Sequence, residues 1–202
     1  SMCENLEAFG YHYDGGYAEF MTAPQEAIAS IPDELSSAEA APLLCAGITV
    51  FNALRNSGIK PGNVVAIQGI GGLGHLAIQY AAKMGMRTVA ISTSDDKKSL
   101  ASNLGAHHFI NAKQKDAAKE LQNMGGAKLI LATAPNSEAI TSVIGGLGID
   151  GKLLMVAATG DPIEVSPMEL LMGRKSVAGW PSGTAMDSED TLKFSAMTGT
   201  KP

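Results

Sequence analysis

Three glycines with the spacing G-x-G-x-x-G stand between a short apolar run and a longer run rich in Ala and Leu. They are Gly69, Gly71 and Gly74, and they follow Val64–Gln68. The spacing is typical of a dinucleotide-binding turn: the first glycine permits a tight turn, the second lets a pyrophosphate approach the backbone, and the third brings helix and sheet together. The free N–H groups at the start of the following helix would face the phosphates. The alternative is a glycine-rich turn in an ordinary α/β protein.

The residue that follows the second predicted strand distinguishes between the nicotinamide cofactors. An acid about 20 residues past the glycines would bind a free ribose 2′-OH, but the position 18 residues after Gly74 (92 − 74) is Ser92. Hydroxyls and a lysine there favour the 2′-phosphate of NADP over NAD. Asp95 and Asp96 are the alternative ribose acids, but they fall in a helix cap and first turn, where Asp is favoured for capping alone. The predicted contacts to the 2′-phosphate are Ser92, Thr93, Ser94 and Lys97.

The elements that must position these residues alternate between strands and helices from Val64 onward. The predicted strands span residues 64–68, 88–91, 108–110, 129–132, 153–156 and 176–178. The predicted helices span residues 75–84, 95–104, 113–124, 137–144, 167–172 and 187–197. Six strands joined by crossovers predict an α/β fold, a Rossmann-type doubly wound parallel sheet of order 3-2-1-4-5-6, with its ligand at the switch point.

Residues 1–35 do not follow this alternation. Short extended pieces are predicted over residues 17–21 and 27–31, which are too few to bury a sheet of their own. Ser36 or Ser37 is predicted to cap a helix, and Pro42 to mark a boundary before a largely apolar helical stretch. We therefore divide the chain into an N-terminal piece, residues 1–35, and a dinucleotide-binding domain with its leading helix, residues 36–202.

The composition restricts the class of protein. The chain has 202 residues, of which 45% are hydrophobic, and its net charge of −5 gives no indication of a nucleic-acid or membrane-surface partner. We identify neither an apolar run long enough to span a bilayer nor a signal peptide. Two cysteines are too few for a disulfide scaffold, and a cytoplasmic location is the expectation.

Beyond the glycine motif, three stretches resemble the zinc-dependent medium-chain alcohol dehydrogenases: residues 15–19, residues 41–50 around Cys45, and residues 104–106. The resemblance covers essentially the whole chain, but such enzymes are substantially longer. It implies a cofactor-binding domain, residues 36–202, preceded by a remnant of the catalytic domain, residues 1–35. It also implies hydride transfer between NADP(H) and an alcohol or aldehyde in the full-length enzyme, with no complete catalytic set and little activity in this fragment.

The same resemblance assigns roles to both cysteines. Cys45 matches the third protein ligand of the catalytic zinc, and Cys3 matches the last of four cysteines of a structural zinc site. A tetrahedral site needs three or four protein ligands, and the partners of both cysteines would lie outside this sequence. We therefore expect no bound zinc here, with Cys45 as a buried thiol and Cys3 as a free one. The four histidines, at positions 12, 75, 107 and 108, show no ligand spacing with Cys45.

Further cofactor contacts implied by the resemblance follow the helix of Cys45, the glycine turn and the last three strands. They are Thr49, Gly72, Leu73, Thr133, Ala134, Val156, Ala157, Trp180 and Ser182. Family members usually pair through the edge strand of this domain, so a homo-oligomer is expected. Three alternatives stay open: a zinc-free quinone oxidoreductase of the same superfamily, a non-catalytic dinucleotide sensor, and a methyltransferase, which would also want an acid after the second strand. The motif around Cys45 argues against the quinone oxidoreductase.

Overall fold

The computed structural model of the protein describes residue 4 and residues 7–202. Its centre is one sheet of six parallel strands in the order β3-β2-β1-β4-β5-β6, which confirms the predicted fold class and strand order. The strands are β1 Val64–Gln68, β2 Arg87–Ser92, β3 His108–Asn111, β4 Ala127–Ala132, β5 Leu147–Met155 and β6 Ser176–Gly179. The chain leaves β1 toward β2 on one side and returns to place β4 on the other, so the topological switch point lies between β1 and β4.

The two central strands are buried on both faces because helices cover the sheet on each side. Along β4, Leu129 and Leu131 belong to one apolar cluster, while Ile130 belongs to the other. Along β1, Ile67 belongs to the first of these clusters and Ala66 to the second. This alternation has the two-residue period of a strand, with apolar residues at every position because neither face is solvated. The resulting rigid strand ends form the floor of the site described below.

Eight α-helices surround the sheet among the described residues, and most match the predicted spans. They are α1 Ser37–Pro42, α2 Ile48–Asn56, α3 Gly72–Lys83, α4 Lys98–Asn103, α5 Ala117–Asn123, α6 Ser137–Ile144, α7 Pro167–Leu171 and α8 Ala185–Thr198. The errors lie at the ends. The hydroxyl of Ser94, rather than Asp95, caps the turn before α4, and Asp116 caps α5, so that helix begins four residues later than predicted. Capping side chains set these boundaries because they accept bonds from the first free N–H groups.

The N-terminal segment differs from its prediction. Neither residues 17–21 nor residues 27–31 form a strand; the segment instead contains a 3₁₀ turn, Gln25–Ala27, and a single bridge between Phe9 and Tyr13. Tyr17 and Phe20 are fully or almost fully exposed. An alternating pattern becomes a strand only beside a partner strand, and the described residues offer none there.

The leading helix is continuous across Pro42. A π-helical turn, Leu43–Gly47, joins α1 to α2, so the predicted boundary is a change of helix type rather than a break. Ser36, one of the two serines predicted to cap this helix, is its N-cap and forms a capping box with Glu39. By length and composition the whole run, Ser37–Asn56, could cross a membrane, contrary to our expectation. More than half of it is buried in this domain, and buried core helices pass the same test.

Candidate functional site

A cleft of about 1120 Å³ opens at the carboxyl edge of the sheet, at the switch point between β1 and β4. Most of the predicted site residues line it: Cys45, Thr49, Gly69, Gly71, Gly72, Leu73, Ser92, Thr93, Lys97, Thr133, Ala134 and Val156. A larger cavity, about 1310 Å³, lies within residues 7–27. We assign the site to the cleft because strand ends and a helix N-terminus fix its walls, whereas irregular chain surrounds the larger cavity.

The three glycines of the motif meet three different requirements. Gly69 has φ +95°, which L side chains rarely adopt, and a Cβ there would lie 2.8 Å from the Cβ of Ala134. A Cβ on Gly74 would lie 2.0 Å from the carbonyl oxygen of Gly69, so only glycine lets α3 start this close to β1. Gly71 has an ordinary extended backbone, and a Cβ there would meet no atom within 4 Å. The structure therefore requires glycine at positions 69 and 74, while Gly71 borders open space in the cleft.

The N-terminus of α3 lies at this turn. Gly71 is its N-cap residue and provides no side chain to bond the first N–H groups of the helix. Those groups lie at the cleft, together with the positive end of the dipole of a 12-residue helix. Such an arrangement binds phosphate groups.

Hydroxyls and one lysine surround the cleft where β2 ends. The Nζ of Lys97 donates a hydrogen bond to the carbonyl of Ile70 at 2.7 Å, which places its ammonium group beside the glycine turn. Neither aspartate lines this part of the cleft: Asp95 accepts a bond from Gln114 at 2.9 Å, and Asp96 from the Ser94 hydroxyl at 2.7 Å. Ser94 itself caps the following turn and does not line the cleft.

Cys45 lies in the π-helical turn at the opposite end of the cleft. Its thiol is exposed, so the prediction of a buried thiol is wrong. The Thr49 hydroxyl donates to the carbonyl of Cys45 at 2.8 Å and lies 3.4 Å from the Ser182 hydroxyl. Within the part of the chain that the structure describes, no three His, Cys, Asp or Glu residues are grouped to hold a metal ion. These residues alone do not fit a zinc site, and Cys3 lies outside the described residues.

The loop that follows β6 reaches the cleft through Pro181, which the sequence reasoning missed. Trp180 and Ser182, the predicted contacts, do not line the cleft, and the indole N–H of Trp180 donates to the Ser182 carbonyl at 3.1 Å. Ala157 is also absent from the lining. Ala46 of the π-helical turn and four residues of α6, Glu138, Ala139, Ser142 and Val143, also line the cleft. The other missed residues end strands or begin the loops after them: Gln68, Ile70, Ile91, Ala112, Pro135 and Asn136. Their position at the carboxyl ends of parallel strands is the signal that could have found them.

The sheet order, the glycine turn and the cleft define a Rossmann-type dinucleotide-binding domain. A family model described as "Zinc-binding dehydrogenase" matches residues 72–197. The chain belongs to this family.

Its relatives are alcohol dehydrogenases. The chain is 49% identical to the alcohol dehydrogenase patD of Penicillium expansum over 198 residues, which is 98% of this chain and 58% of that protein. A crystal structure of a putative alcohol dehydrogenase from Sinorhizobium meliloti 1021 is similar, with a TM-score of 0.89 and 28% identity, over 97% of this chain and 59% of that one. A crystal structure of CAD from Helicobacter pylori complexed with NADP(H) has a TM-score of 0.75 and 26% identity, over 86% and 49%.

The chain thus spans about 58% of the length of patD, the curated relative it matches at 49% identity. The matched part corresponds to the cofactor-binding domain of alcohol dehydrogenases, which confirms the family and the fold predicted from the sequence.

Proposed function

We propose that this chain is the NADP(H)-binding domain of an enzyme that transfers hydride between that cofactor and an alcohol or aldehyde. The observation that carries the proposal is the chemistry of the cleft at the end of β2, where Ser92, Thr93 and Lys97 line the wall. The one carboxylate among the described lining residues, Glu138, belongs to α6, which follows β4. The names of the relatives support the reaction class, since patD is an alcohol dehydrogenase. The complex of the Helicobacter pylori protein with NADP(H) supports the cofactor class.

A 2′-phosphate would find one positive charge and two hydroxyls at this position. Lys97 uses one of its three N–H groups on the Ile70 carbonyl and keeps two for a ligand. Bonds from an ammonium group to a phosphate oxygen are charge-assisted and stronger than neutral ones. The two carboxylates that follow β2, Asp95 and Asp96, are bonded to Gln114 and Ser94 outside the cleft lining, so neither is available to a free ribose 2′-OH there.

The remaining cleft residues would hold the rest of the cofactor. The start of α3 and the open space beside Gly71 suit the pyrophosphate. Since the adenosine ribose then lies toward Ser92, the nicotinamide lies toward the other end of the cleft, between Thr49, Val156 and Pro181. The cofactor supplies the hydride chemistry, and these residues position it and exclude water.

Cys45 lies on the wall of the nicotinamide end, with its thiol exposed. We assign it as one ligand of a catalytic zinc in a longer protein, and Cys3 as one ligand of a structural zinc. The described residues do not make either site alone, so this chain is expected to bind cofactor while catalysing little. A zinc ion at Cys45 would act as a Lewis acid on the substrate oxygen.

The free edge of β6 is a candidate for pairing two copies of the chain. Ser176, Ala178 and Gly179 are exposed, and among the described residues no strand pairs with this edge. An edge strand presents unpaired N–H and C=O groups that a second strand can bond. We propose a homo-oligomer paired there, located in the cytoplasm.

The experiment is calorimetry of NADPH and NADH with the wild-type chain and two variants. Lys97→Ala should weaken NADPH by about 1.5 to 3 kcal/mol, the worth of a hydrogen bond to a charged group, and affect NADH less. Ser92→Asp should weaken NADPH and improve NADH, because a carboxylate repels the 2′-phosphate and accepts a bond from a 2′-OH. Lys98→Ala is the matched control, since Lys98 is exposed and outside the cleft. Tighter binding of NADH than NADPH by the wild type would show that the cofactor assignment is wrong.

A further inference from the structure

A buried amide on α2 bonds the loop that follows β6. Asn52 lies one helical turn after Thr49 and is only 4% exposed. Its Nδ2 donates to the carbonyl of Ser182 at 2.9 Å. Its Oδ1 accepts from Nε of Arg55 at 2.9 Å and from Nδ2 of Asn56 at 2.7 Å. Because these two donors occupy the amide oxygen, the NH₂ group is oriented toward the loop.

Arg55 extends this network to the start of α8. Its guanidinium pairs with Asp187 and donates to Asp190 at 2.6 Å. Asp187 in turn accepts from the backbone N–H of Thr184 at 2.7 Å, within the capping box of α8. Partial burial acts to raise the pKa of Asp187, but the bonds from Thr184 and Arg55 outweigh it and hold that pKa below its usual value. The loop is therefore held between two helix ends.

The loop packs tightly against this network. A Cβ on Gly183 would lie 2.7 Å from the Cβ of Asp187 and 2.8 Å from Nδ2 of Asn52. The carbonyl of Ser182 receives a second bond, from the indole N–H of Trp180 at 3.1 Å. The two bonds to the Ser182 carbonyl hold the position of the preceding residue, Pro181, which lines the cleft together with Cys45 and Thr49.

We propose that Asn52 is a positioning residue for the nicotinamide end of the cofactor. Through the Ser182 carbonyl it fixes where Pro181 lies, and thereby the shape of the cleft beside the loop after β6. The inference rests on the proposed function, because it assigns that end of the cleft to nicotinamide. It goes further in naming a residue that is not among the cleft-lining residues.

The position of the bond between Asn52 and the Ser182 carbonyl, here called the anchor, predicts which ligands bind more weakly when it is lost. Asn52 bonds the loop after β6, beside Thr49 and Cys45, whereas Ser92 and Lys97 follow β2, on the other side of β1 in the sheet. Loss of the anchor should weaken every ligand that contains nicotinamide, with or without a 2′-phosphate. Adenosine 2′,5′-bisphosphate contains only the adenosine and phosphate end, so its affinity should not change.

The test measures binding of NADPH, NADH and adenosine 2′,5′-bisphosphate to the full chain by calorimetry. Asn52→Leu keeps the volume and removes both hydrogen-bonding functions; Kd for both dinucleotides should rise about fivefold to tenfold, the worth of one net hydrogen bond. Where that variant does not fold, Asn52→Asp takes its place, since it keeps the acceptor and loses the donor to Ser182. Asn103→Ala is the control: Asn103 is exposed on α4 and lies outside the cleft lining, so changes should stay within about twofold.

Trp180 gives a second readout, because it is the only tryptophan in the chain and lies in the anchored loop. Its fluorescence anisotropy should fall in the Asn52 variants and stay unchanged in Asn103→Ala. Wild-type NADPH affinity in a folded Asn52 variant would overturn the inference and leave the proposed function intact. Equal loss of the bisphosphate would also overturn it, since Asn52 would then only support the fold. Failure of the wild type to bind any of the three ligands would overturn the proposed function, and the positioning role with it.

Discussion

A methyl group at Gly74 should destabilise the protein more than a whole isopropyl group at Gly71. Both glycines belong to the turn after β1, and sequence spacing alone treats them alike. In the structure a Cβ on Gly74 lies 2.0 Å from the carbonyl oxygen of Gly69, whereas one on Gly71 meets nothing within 4 Å. Gly74→Ala and Gly71→Val therefore separate the glycine that the fold needs from the glycine that the ligand needs.

The expected magnitudes follow from these distances. Ordinary contact begins near 3.4 Å, so α3 must move by about 1.4 Å (3.4 − 2.0) to admit the methyl group on Gly74. Overpacking of this kind costs about 3 kcal/mol, which corresponds to a fall of about 6 to 12 °C in Tm for a chain of this size. Valine at Gly71 adopts the extended backbone found there, φ −108°, so Tm should change by less than about 3 °C.

The assay is thermal melting with and without NADPH. A ligand at one hundred times its Kd stabilises the wild type by about 2.7 kcal/mol, which raises Tm by about 5 to 11 °C. Gly71→Val should melt like the wild type without cofactor and show no rise with it, because its side chain occupies the approach of the pyrophosphate. An intact rise would mean that the phosphates bind elsewhere, and an unchanged melting temperature for Gly74→Ala would contradict the packing argument.

Two further predictions concern stability alone. Burial raises the pKa of Tyr80 to about 12, above its ordinary value of about 10. The stability that the neutral, buried phenol contributes to the fold is therefore complete below about pH 10 and is lost as the pH rises through about 12. Tyr80→Phe should flatten the fall in unfolding free energy over this range relative to the wild type, and an identical alkaline profile would refute the assignment. Ser36→Ala removes the capping box of α1 and should cost about 0.5 to 2 kcal/mol in urea unfolding, whereas Ser37→Ala, inside the helix, should not; equal losses would show that the cap is unimportant.

The sheet could be predicted from the sequence because its strands are short apolar runs between clear turn signals. Strand β5 is the exception: it begins at Leu147 rather than residue 153, and Gly148, Asp150 and Gly151 resemble a turn in sequence although they lie within the strand. Asp150 has φ +57°, and the pairing with β4 shifts register there. Tertiary pairing overrides local preference at this point.

The residues of the site also separate into those that the sequence predicts and those that only the structure reveals. The glycine turn, Lys97 and Cys45 could be found because their spacing or their motif is local in the sequence. The contact between Asn52 and Ser182 joins residues 130 positions apart, and no pattern near either residue indicates it. The exposure of the Cys45 thiol was also unpredictable, because it depends on how the π-helical turn rotates the chain at the cleft.

The junction of β1 and β4 has a consequence for the order in which the chain folds during synthesis. β1, β2 and β3 are complete once residue 111 has left the ribosome, but β4 begins only at Ala127. The backbone N–H and the hydroxyl of Thr133 then both bond the carbonyl of Gln68, each at 2.9 Å, and join the two halves. Long-range parallel pairing of this kind is slow to form. Because the cofactor cleft exists only after that junction closes, NADPH should not assist the nascent half-domain; it should act on the finished sheet, by slowing its unfolding.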